Sequence, residues 1–101
     1  MTVIYLPESE QDLKEIFEWY EEQQEGLGET FLMAVGGMTN HLRSYPERWR
    51  VVVGNTRKAL MRRFPYSVYY NLKDEETILI VAIIHEKRHP DYVIKRLLAE
   101  E

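Results

Sequence analysis

Basic side chains are concentrated in the middle of the sequence. Seven of the thirteen lysine and arginine residues lie between positions 43 and 63. Such a concentration can bind nucleic acid or an acidic protein surface. It can equally be a solvated strand face that balances acidic helices, and the pattern alone leaves both interpretations open. The seven residues are Arg43, Arg48, Arg50, Arg57, Lys58, Arg62 and Arg63.

One of these arginines is distinguished by its predicted orientation. We predict a strand over Thr56–Phe64, in which successive side chains point to opposite faces. Arg62 would then share a face with Lys58 and Leu60, whereas Arg63 would point to the other side. We therefore favour Arg62, together with Lys58, as a side chain that contacts a ligand.

The three histidines could exchange a proton near neutral pH. His85 lies between an apolar run and Glu86. It could act as an acid or base, or it could cap the strand by hydrogen bonding to the backbone; we favour capping because no paired base is evident. We expect His89 to be a turn residue before Pro90 and His41 to lie on a helix surface. Histidines so dispersed, without an H-E-x-x-H motif, predict no metal site.

Three tyrosines, Tyr66, Tyr69 and Tyr70, fall in one predicted strand. Aromatic rings on a sheet can stack on nucleic-acid bases. Aromatic residues of antiparallel strands more often pack in the core or against neighbouring strands, and we favour that interpretation.

Length and composition restrict the class of protein. The chain has 101 residues, of which 45% are hydrophobic and 30% charged, so we expect one globular domain over residues 1–101. The absence of cysteine excludes disulfides and thiolate chemistry. The N-terminal segment lacks a signal-peptide pattern, and the longest apolar run, Ile78–Ile84, is too short to cross a membrane. We therefore expect a cytoplasmic protein.

The net charge of -4 conceals an uneven distribution. Residues 1–42 carry nine acidic side chains and one basic side chain, whereas residues 43–101 carry twelve basic and eight acidic side chains. We therefore expect an acidic side and a basic side of the molecule if the two halves form different layers.

The first half of the chain predicts a short strand followed by a helical hairpin. Thr2–Leu6 is rich in β-branched and aromatic residues, and Pro7 closes it. Apolar residues then recur at helical spacing from Glu8 to about Gln24, and again after the Gly26-Leu27-Gly28 break as far as Tyr45-Pro46. A turn this short predicts antiparallel packing of the two helices.

Two local features of the helices carry expectations of their own. Ser9 and Asp12 resemble an N-terminal capping pair. Gly36-Gly37 destabilises the second helix by roughly 1 kcal/mol per glycine relative to alanine. Close approach of a neighbouring backbone would offset that loss, and a bend in the helix is the competing explanation.

The second half predicts a mainly antiparallel sheet and a final helix. Short apolar runs bounded by turn residues replace the helical spacing beyond Pro46. Ile78–Ile84 is apolar at every position, which indicates a central strand covered on both faces. Helical spacing returns over Tyr92–Leu98. The predicted strands are Arg50–Val53, Thr56–Phe64, Tyr66–Leu72 and Thr77–His85.

Several segments, taken in order, resemble the RelE/ParE superfamily of type II toxin-antitoxin toxins, and ParE most closely. Leu60–Tyr70, which contains RRFPYSVYY, resembles a strand pair of ParE-type toxins. Ile78–Pro90, ending VAIIHEKRHP, resembles their last strand and its exit. Asp12-Leu13 and Gly26-Leu27-Gly28 with Phe31 also match. The resemblance implies an α+β fold with an N-terminal strand, an antiparallel two-helix hairpin, a mainly antiparallel twisted sheet and a short C-terminal helix.

Two mechanisms of different classes follow from this resemblance. RelE-type members cleave messenger RNA in the ribosome through basic side chains on the middle strands, whereas ParE-type members poison DNA gyrase and are not known to need a nuclease site. Lys58, Arg62 and Arg88 match basic positions and are the candidates for target binding. For a ribonuclease, the resemblance adds His85 and Tyr92 to these three as catalytic candidates.

The ribonuclease pattern is incomplete. Leu60 and Ser67 replace two expected basic residues, and Tyr92 lies two residues short of the functional tyrosine of RelE-type enzymes. The resemblance therefore favours a gyrase poison over a ribosome-dependent endoribonuclease. A binding module that keeps the fold but has lost toxicity is a further alternative.

The resemblance also implies partners. We expect a cognate antitoxin that folds over the helical hairpin and the sheet, with DNA gyrase as the target and the ribosome with messenger RNA as the alternative. No cofactor, metal or membrane is expected.

Overall fold

A computed structural model describes residues 1–99, in which a five-stranded sheet carries two helices on one face and a third helix on the other. This arrangement confirms the expected α+β fold, including the hairpin and the C-terminal helix. The elements are β1 (Thr2–Tyr5), α1 (Pro7–Gln23), α2 (Leu27–Ser44), β2 (Val51–Val53), β3 (Thr56–Leu60), β4 (Tyr66–Leu72), β5 (Thr77–His85) and α3 (Pro90–Ala99).

The sheet has the strand order β1-β5-β4-β3-β2. β1 runs parallel to β5, with Thr2 opposite Thr77, and the other neighbouring pairs are antiparallel. Ile80 to Ile84 are all buried, which confirms a strand covered on both faces. The middle position nevertheless belongs to β4, because β1 alone extends the sheet beyond β5. The prediction that Ile78–Ile84 is the central strand is therefore wrong in this respect.

The core between the hairpin and the sheet is rich in aromatic rings. Phe31 of α2 is fully buried, and its ring centroid lies 5.6 Å from that of Tyr20, 5.2 Å from that of Phe64 and 5.6 Å from that of Tyr66. Edge-on and tilted contacts of this kind stabilise a core beyond the area that they bury. The cluster joins both helices to the start of β4.

The other face of the sheet is covered by α3. Leu97 is its one buried residue and packs with Tyr69, Val81 and Ile84. Ile94 and Leu98 remain largely exposed. Because so little of α3 is buried, polar contacts carry a large share of its attachment.

The start of α1 differs from the predicted capping pair. Leu6 is the residue before the helix, Pro7 occupies the first turn, and no side chain caps the helix N-terminus. Ser9 is buried and donates its hydroxyl to the Leu6 carbonyl at 2.8 Å, while Asp12 points away to the sheet and α3. Pro7 already lacks an N–H that would need a cap, which makes this start possible.

The turn between α1 and α2 depends on two glycines. Gly26 has a φ of 85°, a left-handed conformation that side chains disfavour. A Cβ on Gly28 would lie 2.7 Å from the Phe17 carbonyl oxygen, so α2 could not approach α1 as closely. Glu21 completes the turn, because its carboxylate accepts the N–H of Gly28 at 2.8 Å and that of Gly26 at 3.2 Å.

The surroundings of Gly36 and Gly37, within α2, differ from those of Gly28. Apart from the adjoining residues of α2 itself, no atom lies within 4 Å of a Cβ placed on Gly36 or Gly37, so the predicted close approach of a neighbouring backbone is wrong. The helix runs unbroken from Leu27 to Ser44.

We expect Gly36→Ala and Gly37→Ala each to raise the free energy of unfolding by about 0.5–1 kcal/mol, because alanine favours the helix and meets only open space. Urea denaturation would measure the change. Gly28→Ala is the matched control and should destabilise the protein, since its Cβ meets the Phe17 backbone. Equal destabilisation by all three substitutions would contradict the prediction.

β3 is shorter than the predicted strand over Thr56–Phe64. It ends at Leu60, and the chain then turns so that the Met61 N–H donates to the Tyr66 carbonyl at 2.9 Å. Pro65 has no N–H for a sheet hydrogen bond, and the burial of Phe64 in the aromatic cluster draws the segment away from the sheet.

None of the helices within residues 1–99 has the length and apolar character needed to cross a membrane.

Candidate functional site

Four of the five predicted site residues lie close together near α3. Lys58, His85 and Arg88 line a cleft of about 320 Å³ between α3 and the sheet face on which α3 packs, which we call the α3 cleft. His85, Arg88 and Tyr92 also line a neighbouring cleft of about 300 Å³ beside α1. The resemblance therefore identified residues that the fold does bring together.

Arg62 is separated from this group, contrary to the prediction that it shares a strand face with Lys58. It lies in the exposed loop that follows β3, because that strand ends two residues earlier. Its cleft, of about 410 Å³, is bounded by α2 and the β3–β4 loop; we call it the α2 cleft. Arg48, Trp49 and Arg63 line the same cleft. Lys58 lines the cleft on the other face of the sheet.

Lys58 is not a free cation. Its Nζ lies 3.2 Å from Oε1 of Glu86, with 29% and 30% of the two side chains exposed. The hydroxyl of Ser67 donates to Oε2 of the same carboxylate at 2.7 Å. Ser67, which stands where an arginine was expected from the resemblance, is fully buried. Lys58 and Ser67, two positions considered for contact with the phosphate of RNA, therefore bind the carboxylate of Glu86 instead.

His85 caps the end of β5, in agreement with the favoured interpretation. Its Nδ1 accepts the backbone N–H of Lys87 at 2.9 Å, and its ring packs edge-on against Tyr66 with centroids 4.9 Å apart. His89 likewise accepts the backbone N–H of Asp91 at 3.1 Å, as expected of a turn residue. His41 is exposed on α2.

A polar network attaches α3 to α1 and the sheet. Asp12 accepts the Arg96 guanidinium at 2.6 Å and the backbone N–H of Ile83 at 3.0 Å through one oxygen, Oδ2. Arg96 also donates to the Tyr92 hydroxyl at 3.1 Å. Asp12 thus connects three elements, a role that the sequence analysis missed.

Tyr92 lies between two arginines. The Arg88 guanidinium lies 3.7 Å from the centroid of its ring, within the range of a strong cation–π contact. Hydrogen bonding to Arg88, and to a smaller extent to Arg96, lowers the pKa of the Tyr92 phenol below its ordinary value. The phenol is therefore held in a positive surrounding that would favour contact with an anion.

The basic cluster of the sequence is divided by the fold. Arg57 donates to the backbone carbonyls of Trp49 at 2.6 Å and Glu47 at 3.2 Å, so it fixes the segment before β2. Lys58 pairs with Glu86. Arg62 lies in the α2 cleft and, within residues 1–99, makes no ion pair.

The tyrosines of β4 belong mainly to the core, as favoured. Tyr69 is 3% exposed and Tyr70 is 0% exposed. Tyr70 donates its hydroxyl to the Pro46 carbonyl at 2.7 Å. Burial raises the pKa of each of these two phenols to about 12, so neither supplies a proton near neutral pH.

No group of three potential ligands for a metal ion occurs among the side chains of residues 1–99.

Comparison with known proteins identifies the family. A search of curated proteins finds no match. Among solved structures, a chain from the chromosomal ParDE TA system of P. aeruginosa superposes with a TM-score of 0.63 at 20% identity, covering 84% of this chain and 95% of that chain. This likeness shows a shared fold. The family model described as the ParE toxin of the type II toxin-antitoxin system parDE matches residues 3–90, from β1 to the first residue of α3. The chain therefore belongs to the ParE toxin family.

Proposed function

We propose that this chain arrests bacterial growth by poisoning DNA gyrase and that a cognate antitoxin neutralises it. The observation that carries the choice of target is the Lys58–Glu86 ion pair, at 3.2 Å, in the cleft where a ribonuclease would need a free cation. Membership of the ParE family points to the same target class.

Message cleavage needs groups that move protons and stabilise the charge that develops on phosphate. Here Lys58 is neutralised by Glu86, position 60 holds a leucine, and Ser67 is buried beneath the same carboxylate. Arg62 lies in a different cleft and could not join Lys58 around one phosphate. A gyrase poison needs a binding surface and does not need groups that move protons or stabilise charge on phosphate.

The exposed cations are the candidates for that surface. Arg62 and Arg63 are exposed beside the apolar side chains Leu60 and Trp49 of the α2 cleft. Arg88 is exposed two residues before the start of α3. We propose that Arg62 and Arg88 contact the target, whereas Lys58 acts through its ion pair.

The antitoxin partner accounts for apolar side chains that the chain leaves in solvent. Met33 is 77% exposed and Trp19 is 54% exposed, both on the helical hairpin. Large apolar side chains that remain in solvent can mark an interaction surface. The hairpin also carries most of the acidic residues, so a segment with basic and apolar side chains would complement it. Both proteins would act in the cytoplasm.

The runner-up is ribosome-dependent message cleavage. It is favoured by the position of Lys58, His85 and Arg88 around one cleft. A non-toxic binding module would be favoured if the folded chain left growth unaffected.

The test is induction of the chain in bacteria without its antitoxin. We expect growth arrest, trapped gyrase–DNA complexes and a DNA-damage response before any loss of translated messages. Co-expression of the antitoxin should restore growth. Rapid message cleavage with intact DNA would contradict the proposal, as would normal growth of cells that contain the folded chain.

A pair of variants locates the contact surface. Arg62→Ala should reduce the trapped complexes about tenfold, the effect of losing one hydrogen bond from a charged group. Lys73→Ala removes the same charge from the exposed turn between β4 and β5 and should have little effect. Equal effects of the two variants would show that only net charge matters.

A further inference from the structure

The α3 cleft contains one acidic side chain among several basic ones. Arg50, Lys58 and Arg88 line the cleft, and Glu86 is the sole carboxylate among its lining residues within positions 1–99. The remaining lining residues are mostly apolar, whereas Arg50, Glu86 and Arg88 are exposed to solvent.

Both oxygens of Glu86 are held by donors, of which Lys58 lines the cleft and Ser67 is buried. Oε1 lies 3.2 Å from the Lys58 ammonium, and Oε2 accepts the hydroxyl of buried Ser67 at 2.7 Å. The backbone N–H of Glu86 donates to the Pro65 carbonyl at 2.8 Å, which fixes the position of the residue after β5. The carboxylate is therefore placed by the fold rather than free in solvent.

The Lys58 ammonium and the guanidinium groups of Arg50 and Arg88, which line the same cleft, form a donor set that suits phosphoryl oxygens. We propose that the α3 cleft is an oxyanion site for phosphoryl groups and that Glu86 occupies it in the free chain. Glu86 is thereby the residue that determines whether the cleft accepts a phosphate. This site shares Arg88 with the proposed gyrase contact, but it is tested by anion binding rather than by gyrase poisoning.

The negative charge of Glu86 also affects Tyr69, which lines the same cleft. Burial is the main cause that raises the pKa of the Tyr69 phenol to about 12, and the negative charge of Glu86 contributes to the increase. At the rim, Arg88 is held against the Tyr92 ring at 3.7 Å. Arg50 and Arg88 line the cleft with Lys58, and only Lys58 pairs with Glu86, so removal of the carboxylate charge would leave Lys58 for an external anion.

The test is binding of inorganic pyrophosphate to the whole chain and to Glu86→Gln. Glutamine keeps the shape of the side chain and an oxygen that accepts the Ser67 hydroxyl, so the fold should persist. We expect about tenfold tighter binding by the variant, because one charge-assisted contact becomes available. Calorimetry would give the affinity, and amide shifts of Ser67 and Lys87 would locate the ligand.

Three further variants keep the inference falsifiable. Glu75→Gln makes the same change in net charge on an exposed turn and should bind as weakly as the unaltered chain. Glu86→Asp keeps the charge but withdraws it from Lys58, and it should show an intermediate gain. Glu86→Gln with Lys58→Met should lose the gain. An unchanged affinity of Glu86→Gln, or a gain that survives Lys58→Met, would overturn the proposal.

A short single-stranded RNA, titrated in parallel, separates the two sources of a phosphoryl group. A larger gain with RNA would assign the site to phosphodiesters, and a larger gain with pyrophosphate would assign it to free phosphates. Both results support the oxyanion site, and neither depends on whether gyrase is the target.

Discussion

Replacement of Asp12 by alanine is expected to lower the free energy of unfolding by about 2–4 kcal/mol. The Asp12–Arg96 pair has only 13% and 17% of its side chains exposed, so the substitution leaves a largely buried guanidinium without its carboxylate. The Ile83 N–H loses its acceptor as well. Urea denaturation followed by circular dichroism would measure the difference, which is a large part of the ~5–15 kcal/mol typical of a domain.

Asp12→Asn is the matched control. It keeps an oxygen that can accept the N–H of Ile83 but removes the charge opposite Arg96. Its destabilisation should therefore be smaller than that of Asp12→Ala. Hydrogen exchange should increase first in α3, since this pair attaches the helix. A loss under 1 kcal/mol for Asp12→Ala, with α3 still protected, would show that packing of Leu97 alone retains the helix.

Phe31→Ala should lower the free energy of unfolding by about 3–5 kcal/mol, the usual effect of removing a large buried aromatic side chain. Phe31 is 0% exposed and contacts Tyr20, Phe64 and Tyr66. The substitution therefore leaves a cavity where two helices and the β3–β4 loop meet. Thermal and urea denaturation would measure the loss.

Leu32→Ala serves as the comparison on the same helix. Leu32 is 40% exposed, so its truncation should cost less than 1 kcal/mol. If the two substitutions had the same effect, the aromatic cluster could not be the main support of the hairpin.

Much of this fold could be predicted because hydrophobic spacing is a local property of the chain. The bounds expected for β4 and β5, Tyr66–Leu72 and Thr77–His85, agree with the structure. The helical hairpin was predicted by spacing and by the Gly26-Leu27-Gly28 break. The break has a steric basis, since Gly28 lies against α1 without room for a side chain.

The end of β3 was missed for an equally physical reason. Met61 and Phe64 continue an apolar pattern that a strand would also show. In the structure both are buried against the hairpin from a loop, and Pro65 cannot extend the sheet hydrogen bonding. Tertiary packing therefore overrides the local preference for a strand. As a result, Arg62 lies with the loop in the α2 cleft rather than beside Lys58.

The sequence predicted which residues lie together near α3 better than it predicted their charged partners. Lys58, His85, Arg88 and Tyr92 do lie near α3, but the partners that define their chemistry were not foreseen. Glu86 meets Lys58 across 28 residues of sequence, and Asp12 meets Arg96 across 84. Spacing along the chain carries no information about pairs so distant. Asp12 was instead assigned to a local cap because its nearest neighbours allowed it.

The parallel pairing of β1 with β5 also affects how the protein can be made. Synthesis delivers β1 first, yet its partner strand begins at Thr77. The hairpin of α1 and α2 can form early from local contacts, whereas β1 must wait for a loop of some seventy residues to close. The Asp12–Arg96 contact can form only later, after Arg96 has been synthesised. Until β5 and α3 have been synthesised, β1 and the apolar side of the hairpin therefore lack the partners against which they pack in the folded protein.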